Sequence, residues 1–153
     1  MKKTLLNILV LTIILGCQKK HSEKEKVELA LKSIFENFEN PNFETFEEIS
    51  MEKIYCIICF SNPNLTEEPY MTNRKHFFEN FIKKINEFES FKKAKISSEL
   101  IIINENNKRS DITAYLTTWK KGELAENHEG EQLGIYLKKV NRKLKFAGIE
   151  TIP

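Results

Sequence analysis

Residues 111–120 read DITAYLTTWK, and apolar and polar side chains alternate along them. Successive side chains of an extended chain point to opposite faces. The side chains expected on one face are those of Ile112, Ala114, Leu116 and Thr118. Those expected on the other face are Asp111, Thr113, Tyr115, Thr117 and Trp119. The pattern predicts a half-buried β-strand and places the C-terminal part of the chain in a sheet.

Strand-like spacing continues on both sides of this stretch. Residues 95–104, 132–140 and 143–152 are predicted as further strands, and Asn141-Arg142 makes the tight turn between the last two. The run IYCIICF at residues 54–60 is apolar throughout and rich in β-branched and aromatic residues. This composition favours another buried strand, although a short helix fits the same run.

Helix-like spacing dominates the N-terminal part of the chain. The first helix begins at Ser22 or shortly after, where Ser22 and Glu25 match a capping box, and Asn40-Pro41 ends it. A second helix is predicted at residues 42–49 and a third at residues 73–89. The order α-α-β-α-β-β-β-β is that of an α+β domain, with three N-terminal helices packed on a curved antiparallel sheet.

Residues 1–16 have the organisation of a signal peptide. Lys2 and Lys3 form a basic start, and the apolar run from Leu5 to Leu15 is too short to span a bilayer. The end of this segment, Leu15-Gly16-Cys17, resembles the lipobox of bacterial lipoproteins, which implies that the Cys17 thiol receives a lipid. The alternative is an ordinary secretory signal with a chance cysteine.

The chain therefore divides into three predicted segments. Residues 1–16 are the lipoprotein signal peptide, residues 17–24 are the lipidated cysteine and a polar tether, and residues 25–153 are the domain. Resemblance to known sorting signals, with Gln18 after the cysteine, implies an outer-membrane anchor that faces the periplasm.

Charge argues against one class of partner. The full chain has 24 basic and 22 acidic residues, so removing Lys2 and Lys3 leaves 22 of each. Nucleic acid requires a dense cationic surface. A balanced chain has none overall, so no nucleic-acid partner is expected.

Three features of the domain carry a resemblance to a known family. They are Phe43-x-x-Phe46, Arg74 after Pro69-Tyr70, and the terminal hairpin of residues 134–149. Together with the element order, they resemble the nuclear transport factor 2-like superfamily, including SnoaL-like domains, over about residues 25–153. Two departures are Asn141-Arg142 where an Asp-Gly turn is common, and Leu144 where tryptophan is common.

This resemblance implies a cone whose mouth lies between the helices and the concave face of the sheet. It also implies a homodimer formed through the sheet. Members of the superfamily include isomerases, cyclases, hydrolases, dehydratases and binding proteins, so the fold does not assign an activity.

The candidate ligand-binding residues are Tyr115, Thr117, Trp119, His76 and Asp111. Tyr115 and Trp119 are predicted on one strand face, where they would form a platform for a flat apolar ligand or for a partner subunit. His76 could line the pocket. Asp111 is the only aspartate in the chain. It could act as an acid or base in the cone, but an exposed carboxylate paired with a basic neighbour is the expected state.

Cys56 and Cys59 have C-x-x-C spacing, but residues three apart on a strand face opposite sides. The thiols are therefore expected to stay unbridged, and neither a redox motif nor a zinc site is expected. His128 lies among glutamates in a predicted loop, which favours a solvated surface over a cation site. No metal, cofactor or catalytic residue is predicted.

These observations favour a membrane-anchored, non-catalytic domain that binds a small apolar ligand or a protein partner. The first alternative is a SnoaL-like enzyme of the isomerase, cyclase or hydrolase type, acting on a small apolar substrate. The second is an adaptor in an envelope complex. Two or more converging ionisable groups inside the cone would favour the enzyme, and an apolar or filled interior would favour the binding protein.

Overall fold

A computed structural model describes residues 22–59 and 70–153 of the chain. The predicted signal peptide and Cys17 lie outside the described residues. The helices are α1 (Glu23–Glu39), α2 (Phe43–Ile49), α3 (Arg74–Asn80), α4 (Ile82–Glu87) and α5 (Glu89–Ile96). The strands are β1 (Ser50–Cys56), β2 (Met71–Asn73), β3 (Leu100–Asn104), β4 (Ile112–Trp119), β5 (Glu131–Val140) and β6 (Lys143–Ile152).

The α+β class is confirmed. The described strands form one six-stranded sheet in the order β2-β1-β6-β5-β4-β3, and the helices pack on one of its faces. The sheet is mixed rather than purely antiparallel, because β1 runs parallel to β6. The sequence prediction also lacked β2, whose three residues are too few to show a period.

The start of α1 follows its predicted capping box. Ser22 Oγ accepts a hydrogen bond from the Glu25 N–H at 3.2 Å, and Glu25 Oε2 accepts one from the Ser22 N–H at 2.7 Å. Two backbone donors that the helix itself cannot satisfy are thereby paired.

The predicted third helix is three short helices, with breaks at Phe81 and Phe88. In one straight helix, Phe77 and Ile82 would point about 140° apart, since each residue turns the helix by about 100°. The breaks redirect the chain, so that Phe77, Ile82 and Phe91 all reach the core. The last of these helices also extends to Ile96, so β3 begins at Leu100 rather than at residue 95.

The predicted strand over residues 54–60 is wrong in its second half. Strand β1 ends at Cys56, and a single 3₁₀ turn covers Ile57–Cys59. A 3₁₀ helix has three residues per turn, so residues three apart lie on the same side. Cys56 and Cys59 therefore form a disulfide with a Cα–Cα distance of 5.4 Å, and the prediction of separate thiols is incorrect.

The core lies between the helices and the sheet and is filled largely by aromatic rings. Five phenylalanines are fully buried there: Phe38, Phe46, Phe77, Phe91 and Phe146. The Phe38 ring centroid lies 5.4 Å from that of Phe91 and 5.5 Å from that of Phe146. Contacts at these distances are typical of aromatic pairs that stabilise a core.

Candidate functional site

Between the helices and the sheet, the described residues place no ionisable side chain in the core cluster. Among the described residues, the core cluster consists of apolar side chains and Cys56, which is bonded to Cys59. Converging ionisable groups, which would have favoured an enzyme acting inside the cone, do not occur in this part of the chain.

A groove of about 470 Å³ opens between α1, α5 and the strands β3 and β4. We call it the mouth groove, because it lies between the helices and the sheet. Its apolar lining residues are Leu31, Phe35, Ala94, Leu100 and Leu116. The volume falls within the usual range for small-molecule sites, and an apolar lining is typical of them.

The rim of the mouth groove is charged, but its charges are already paired. Lys95 binds Glu39, which joins α5 to the end of α1. Lys32 Nζ lies 3.8 Å from Glu36 Oε1 along α1. Such exposed pairs contribute little to stability, and none presents an activated nucleophile or base.

The other face of the sheet, which we call the outer face, carries a second polar and aromatic arrangement. All four tyrosines of the chain, Tyr55, Tyr70, Tyr115 and Tyr136, lie on this side. The Tyr55 ring centroid lies 5.5 Å from that of Tyr136 and 6.0 Å from that of Tyr70. The separation of tyrosine from phenylalanine has a physical cause, because a buried hydroxyl needs a hydrogen-bond partner and a phenyl ring does not.

Glu150 lies at the centre of the tyrosine arrangement and is only 8% exposed. The Tyr115 hydroxyl lies 3.5 Å from Glu150 Oε1. Burial, followed by the nearby negative charge of Glu150, raises the pKa of Tyr115. Burial and the hydrogen bond to Glu150 raise the pKa of Tyr136 further. Both tyrosines therefore stay protonated and act as donors.

Two glycines make room for these rings. A Cβ on Gly134 would lie 3.0 Å from Tyr115 Cε1 and from Glu150 Cγ. A Cβ on Gly148 would lie 2.4 Å from the Tyr55 carbonyl oxygen. Sequence reasoning missed Glu150 and Tyr136, although an isolated glycine within a predicted strand is a known signal of close approach.

Tyr115, Thr117 and Trp119 do not form the predicted stripe. The β4–β5 register shifts between Thr117 and Trp119, and Lys93 Nζ of α5 lies 4.9 Å from the centre of the Trp119 ring. A bulge adds one residue and reverses the face of all that follows. Tyr115 therefore stays on the outer face, while Trp119 turns towards the helix layer.

Thr117 is held at the end of its strand. Its backbone N–H donates to the Glu99 carbonyl oxygen at 3.3 Å. It therefore contributes to local structure rather than to a platform shared with Trp119.

His76 is exposed on α3, where Nδ1 lies 3.2 Å from Asn80 Nδ2. Its ring packs on Phe81, with the two ring centroids 5.5 Å apart. It does not line the mouth groove, whose residues come from other elements.

Asp111 is half-buried rather than exposed, and its side chain is 22% accessible. A basic partner was expected, and the structure supplies Lys138 of β5, whose Nζ lies 3.0 Å from Oδ1. Oδ2 accepts a hydrogen bond from the Lys139 N–H at 2.7 Å. This backbone hydrogen bond, with Lys138 adding to it, holds the pKa of Asp111 below its usual value despite partial burial. The carboxylate therefore links the start of β4 to β5 and does not serve as an acid in the mouth groove.

Neither a metal site nor a membrane-spanning helix is found in the described part of the chain. Within residues 22–59 and 70–153, no group of three His, Cys, Asp or Glu side chains is arranged to hold a metal ion. No helix in the same ranges is long and apolar enough to cross a membrane. His128 accepts a hydrogen bond from the Gly130 N–H at 3.0 Å through Nδ1 and so takes part in the loop itself.

Neither the known family profiles nor the curated proteins include a match to this sequence. Among solved structures, a designed NTF2 protein is similar with a TM-score of 0.49 and 10% identity, covering 86% of this chain and 100% of that one. A candidate dehydratase of the NTF2-like family from Streptomyces avermitilis is similar with a TM-score of 0.45 and 11% identity, covering 84% and 94%. A DUF4783 family protein from Bacteroides fragilis has a TM-score of 0.38 and 15% identity, covering 78% and 93%. Structural similarities with such low TM-scores and identities do not indicate what the chain does.

Proposed function

We propose that the chain is a lipid-anchored domain of nuclear transport factor 2-like type that binds a small apolar ligand in the mouth groove without catalysing a reaction. The mouth groove carries this proposal, because five apolar side chains line it and both of its lysines are paired with glutamates. The filled core behind it supports binding at the mouth rather than chemistry in a deep cavity.

The proposed location follows from the sequence. Cys17 would be the mature N-terminus and would carry the lipid, with the domain on the periplasmic side of an outer membrane. Mass spectrometry of the processed protein is expected to show an acylated Cys17 as the first residue, and Cys17→Ser should release the domain from membranes. Retention of residues 1–16, or an unmodified Cys17, would contradict the anchor.

A homodimer through the outer face belongs to the same proposal. Ile101 and Ile103 on β3 are 50% and 43% exposed, and both lie on the side of the strand away from the core residues Leu100 and Ile102. This pair of exposed isoleucines supports contact with a partner at the outer face.

The ligand site can be tested with phenylnaphthylamine, a neutral apolar dye whose fluorescence rises when it leaves water. Phe35 lines the mouth groove and is half-buried, so Phe35→Ala removes apolar contact area from the site. About 55 Å² of contact at about 25 cal/mol per Å² is about 1.4 kcal/mol, or a tenfold weaker affinity.

Phe78→Ala is the matched control for this experiment. Phe78 is also half-buried, but it packs on Phe43, with ring centroids 5.3 Å apart, and does not line the mouth groove. The wild type and Phe78→Ala are expected to bind the dye equally. The absence of saturable binding by the wild type, or equal weakening in both variants, would contradict the proposed site.

One observation favours an enzyme as the second candidate. Glu150, with the Tyr115 hydroxyl 3.5 Å from its Oε1, is a buried carboxylate of the kind that general acid–base catalysis can use. Turnover of a small apolar carbonyl or epoxide that is lost in Tyr115→Phe, with an unchanged melting temperature, would favour this candidate. An adaptor role rests on the exposed Ile101 and Ile103 alone.

A further inference from the structure

A second groove, of about 330 Å³, lies where α1, α2 and the start of β6 meet. We call it the basic groove. Its apolar lining comes from Leu29, Ala30, Ile34, Ile49 and Leu144, and its basic residues are Lys26, Arg142, Lys143 and Lys145. Leu29 is 51% exposed, which is unusual for a leucine on a helix that packs against a core.

The charge of the basic groove is not neutralised by neighbours. Glu48 is the single acidic residue in its lining. None of the four basic side chains lies within ion-pair distance of an acidic side chain in the described ranges. The mouth groove differs in this respect, since its lysines are paired. Four cations that share one surface with an exposed leucine are therefore available to an anionic partner.

The tight turn between β5 and β6 holds one of these cations at the tip of the hairpin. Asn141 and Arg142 have φ values of 48° and 67°, as a two-residue turn of type I′ requires. Left-handed backbone is uncommon for arginine and costs free energy. The turn accepts an arginine here, although the expected Asp-Gly pair would form it with less strain.

The basic groove lies at the end of the molecule where the tether from Cys17 arrives. Lys139 Nζ of β5 lies 3.3 Å from Glu23 Oε2, which joins the hairpin to the first turn of α1. Helix α1 begins directly after Ser22, so residues 17–21 alone separate its cap from Cys17. Five residues span at most about 18 Å. A lipid on Cys17 would keep the basic groove close to the head groups.

The two grooves occupy different flanks of α1. The basic groove uses positions 26, 29, 30, 33 and 34 of this helix, whereas the mouth groove uses positions 28, 31, 32, 35, 36 and 39. At about 100° per residue, these sets form separate stripes that point well over 90° apart. A membrane against one stripe leaves the other open to solvent.

We propose that the basic groove is a membrane-contact surface that binds the anionic head groups of phospholipids. Lys26, Arg142, Lys143 and Lys145 meet the phosphates, and Leu29 enters the interface between head groups and acyl chains. The contact fixes the orientation of the domain, so that the mouth groove stays accessible. This inference goes beyond ligand binding, and its chemistry does not require that Cys17 be acylated.

The test uses the mature chain from residue 17 with Cys17→Ser, which carries no lipid. Every residue of the core cluster lies at or after Val27, so the domain keeps its core without the signal peptide. Sedimentation with phosphatidylcholine vesicles, with and without one third phosphatidylglycerol, measures binding. Binding is expected with the anionic vesicles alone, and it should weaken as salt is added.

Charge removal locates the surface. Each Lys or Arg near an anionic membrane strengthens binding about fivefold, so the triple variant Arg142→Gln, Lys143→Gln, Lys145→Gln should bind roughly a hundredfold more weakly. The control is Lys75→Gln, Lys83→Gln, Lys92→Gln, which changes the net charge equally on the helices α3 to α5. The control should bind nearly as the wild type does, and both triple variants should keep the wild-type melting temperature.

Four outcomes would overturn the proposal. They are equal binding to neutral vesicles, no binding to anionic ones, equal weakening by both triple variants, and full displacement by inorganic phosphate at millimolar concentration. The last outcome would indicate a small-anion site or the recognition of a soluble anionic partner. Because this protein carries neither lipid nor dye, the result is independent of both experiments on the proposed function.

Discussion

Replacing Asp111 by asparagine is expected to destabilise the domain at neutral pH. The sequence favours an exposed and dispensable carboxylate, but the structure gives it two partners on the neighbouring strand. Oδ1 accepts from Lys138 Nζ at 3.0 Å and Oδ2 from the Lys139 N–H at 2.7 Å. Asparagine keeps the shape and one acceptor oxygen but loses the charge, so the perturbation is electrostatic rather than steric.

The magnitude follows from those two contacts. A hydrogen bond to a charged group contributes about 1.5–3 kcal/mol to stability, and asparagine keeps part of one of the two. The expected loss is about 1–2 kcal/mol in the free energy of unfolding. In a domain of this size, about 1 kcal/mol lowers the melting temperature by roughly 2–4 °C, so a loss in the middle of the range gives about 3–6 °C.

The pH dependence has a definite sign. The pKa of Asp111 is lower in the folded protein than in the unfolded chain, mainly because of the Lys139 backbone hydrogen bond. Its stabilisation is therefore fully present above the unfolded pKa of about 3.9 and is lost as the pH falls through the folded pKa. The difference between Asp111→Asn and the wild type should be largest near neutral pH and should shrink below about pH 4.

Thermal melts followed by circular dichroism between neutral pH and pH 3 test this reasoning, with Glu129→Gln as the control. Glu129 pairs with Lys121 at 3.4 Å, but both side chains are largely exposed, so its loss should cost no more than about 0.5 kcal/mol. Asp111→Asn melting like the wild type at neutral pH would refute the reasoning. So would a variant that is more stable than the wild type at neutral pH, with a difference that vanishes in acid, because a strained pocket carboxylate behaves in that way.

Two further predictions concern the sheet and the disulfide. Gly148→Ala should lose about 1–3 kcal/mol of unfolding free energy and melt at a clearly lower temperature, because its Cβ would lie 2.4 Å from the Tyr55 carbonyl oxygen and backbone cannot easily move aside. An unchanged melting temperature would contradict this. The native protein should resist alkylation at Cys56 and Cys59 until it is reduced. Reducing this disulfide, which closes a four-residue loop, should cost about 2 kcal/mol in the free energy of unfolding. If mass spectrometry finds both thiols alkylated without reductant, the disulfide is wrong.

The sequence by itself determined the elements whose signals are local. The capping pair Ser22 and Glu25 starts α1, and alternation along 112–117 places Ile112, Ala114 and Leu116 in the core. The α+β class and the terminal hairpin with its turn at Asn141-Arg142 follow from the same kind of signal. Each of these depends on residues within one turn or one strand, where side-chain spacing and backbone preference act directly.

The candidate sites were predictable only in part. A mouth between the helices and the sheet was expected, but Tyr115, Trp119 and His76, which were named as candidate ligand-binding residues, lie elsewhere. Trp119 was misplaced because a bulge depends on the register with β5, which the β4 sequence does not contain. Glu150 was missed because a lone glutamate in a strand gives no sign of which tyrosines will surround it.

Tertiary structure alone decided how distant elements meet. The pairing of β1 with β6 is parallel and joins residues about a hundred positions apart, and the breaks at Phe81 and Phe88 allow three short helices to cover one core. The closeness of Lys139 to Glu23 brings the basic hairpin to the start of the chain's first helix. The physical reason is common to these cases: packing and hydrogen bonding between remote segments choose among local conformations of similar free energy, and a sequence pattern reports only the local preference.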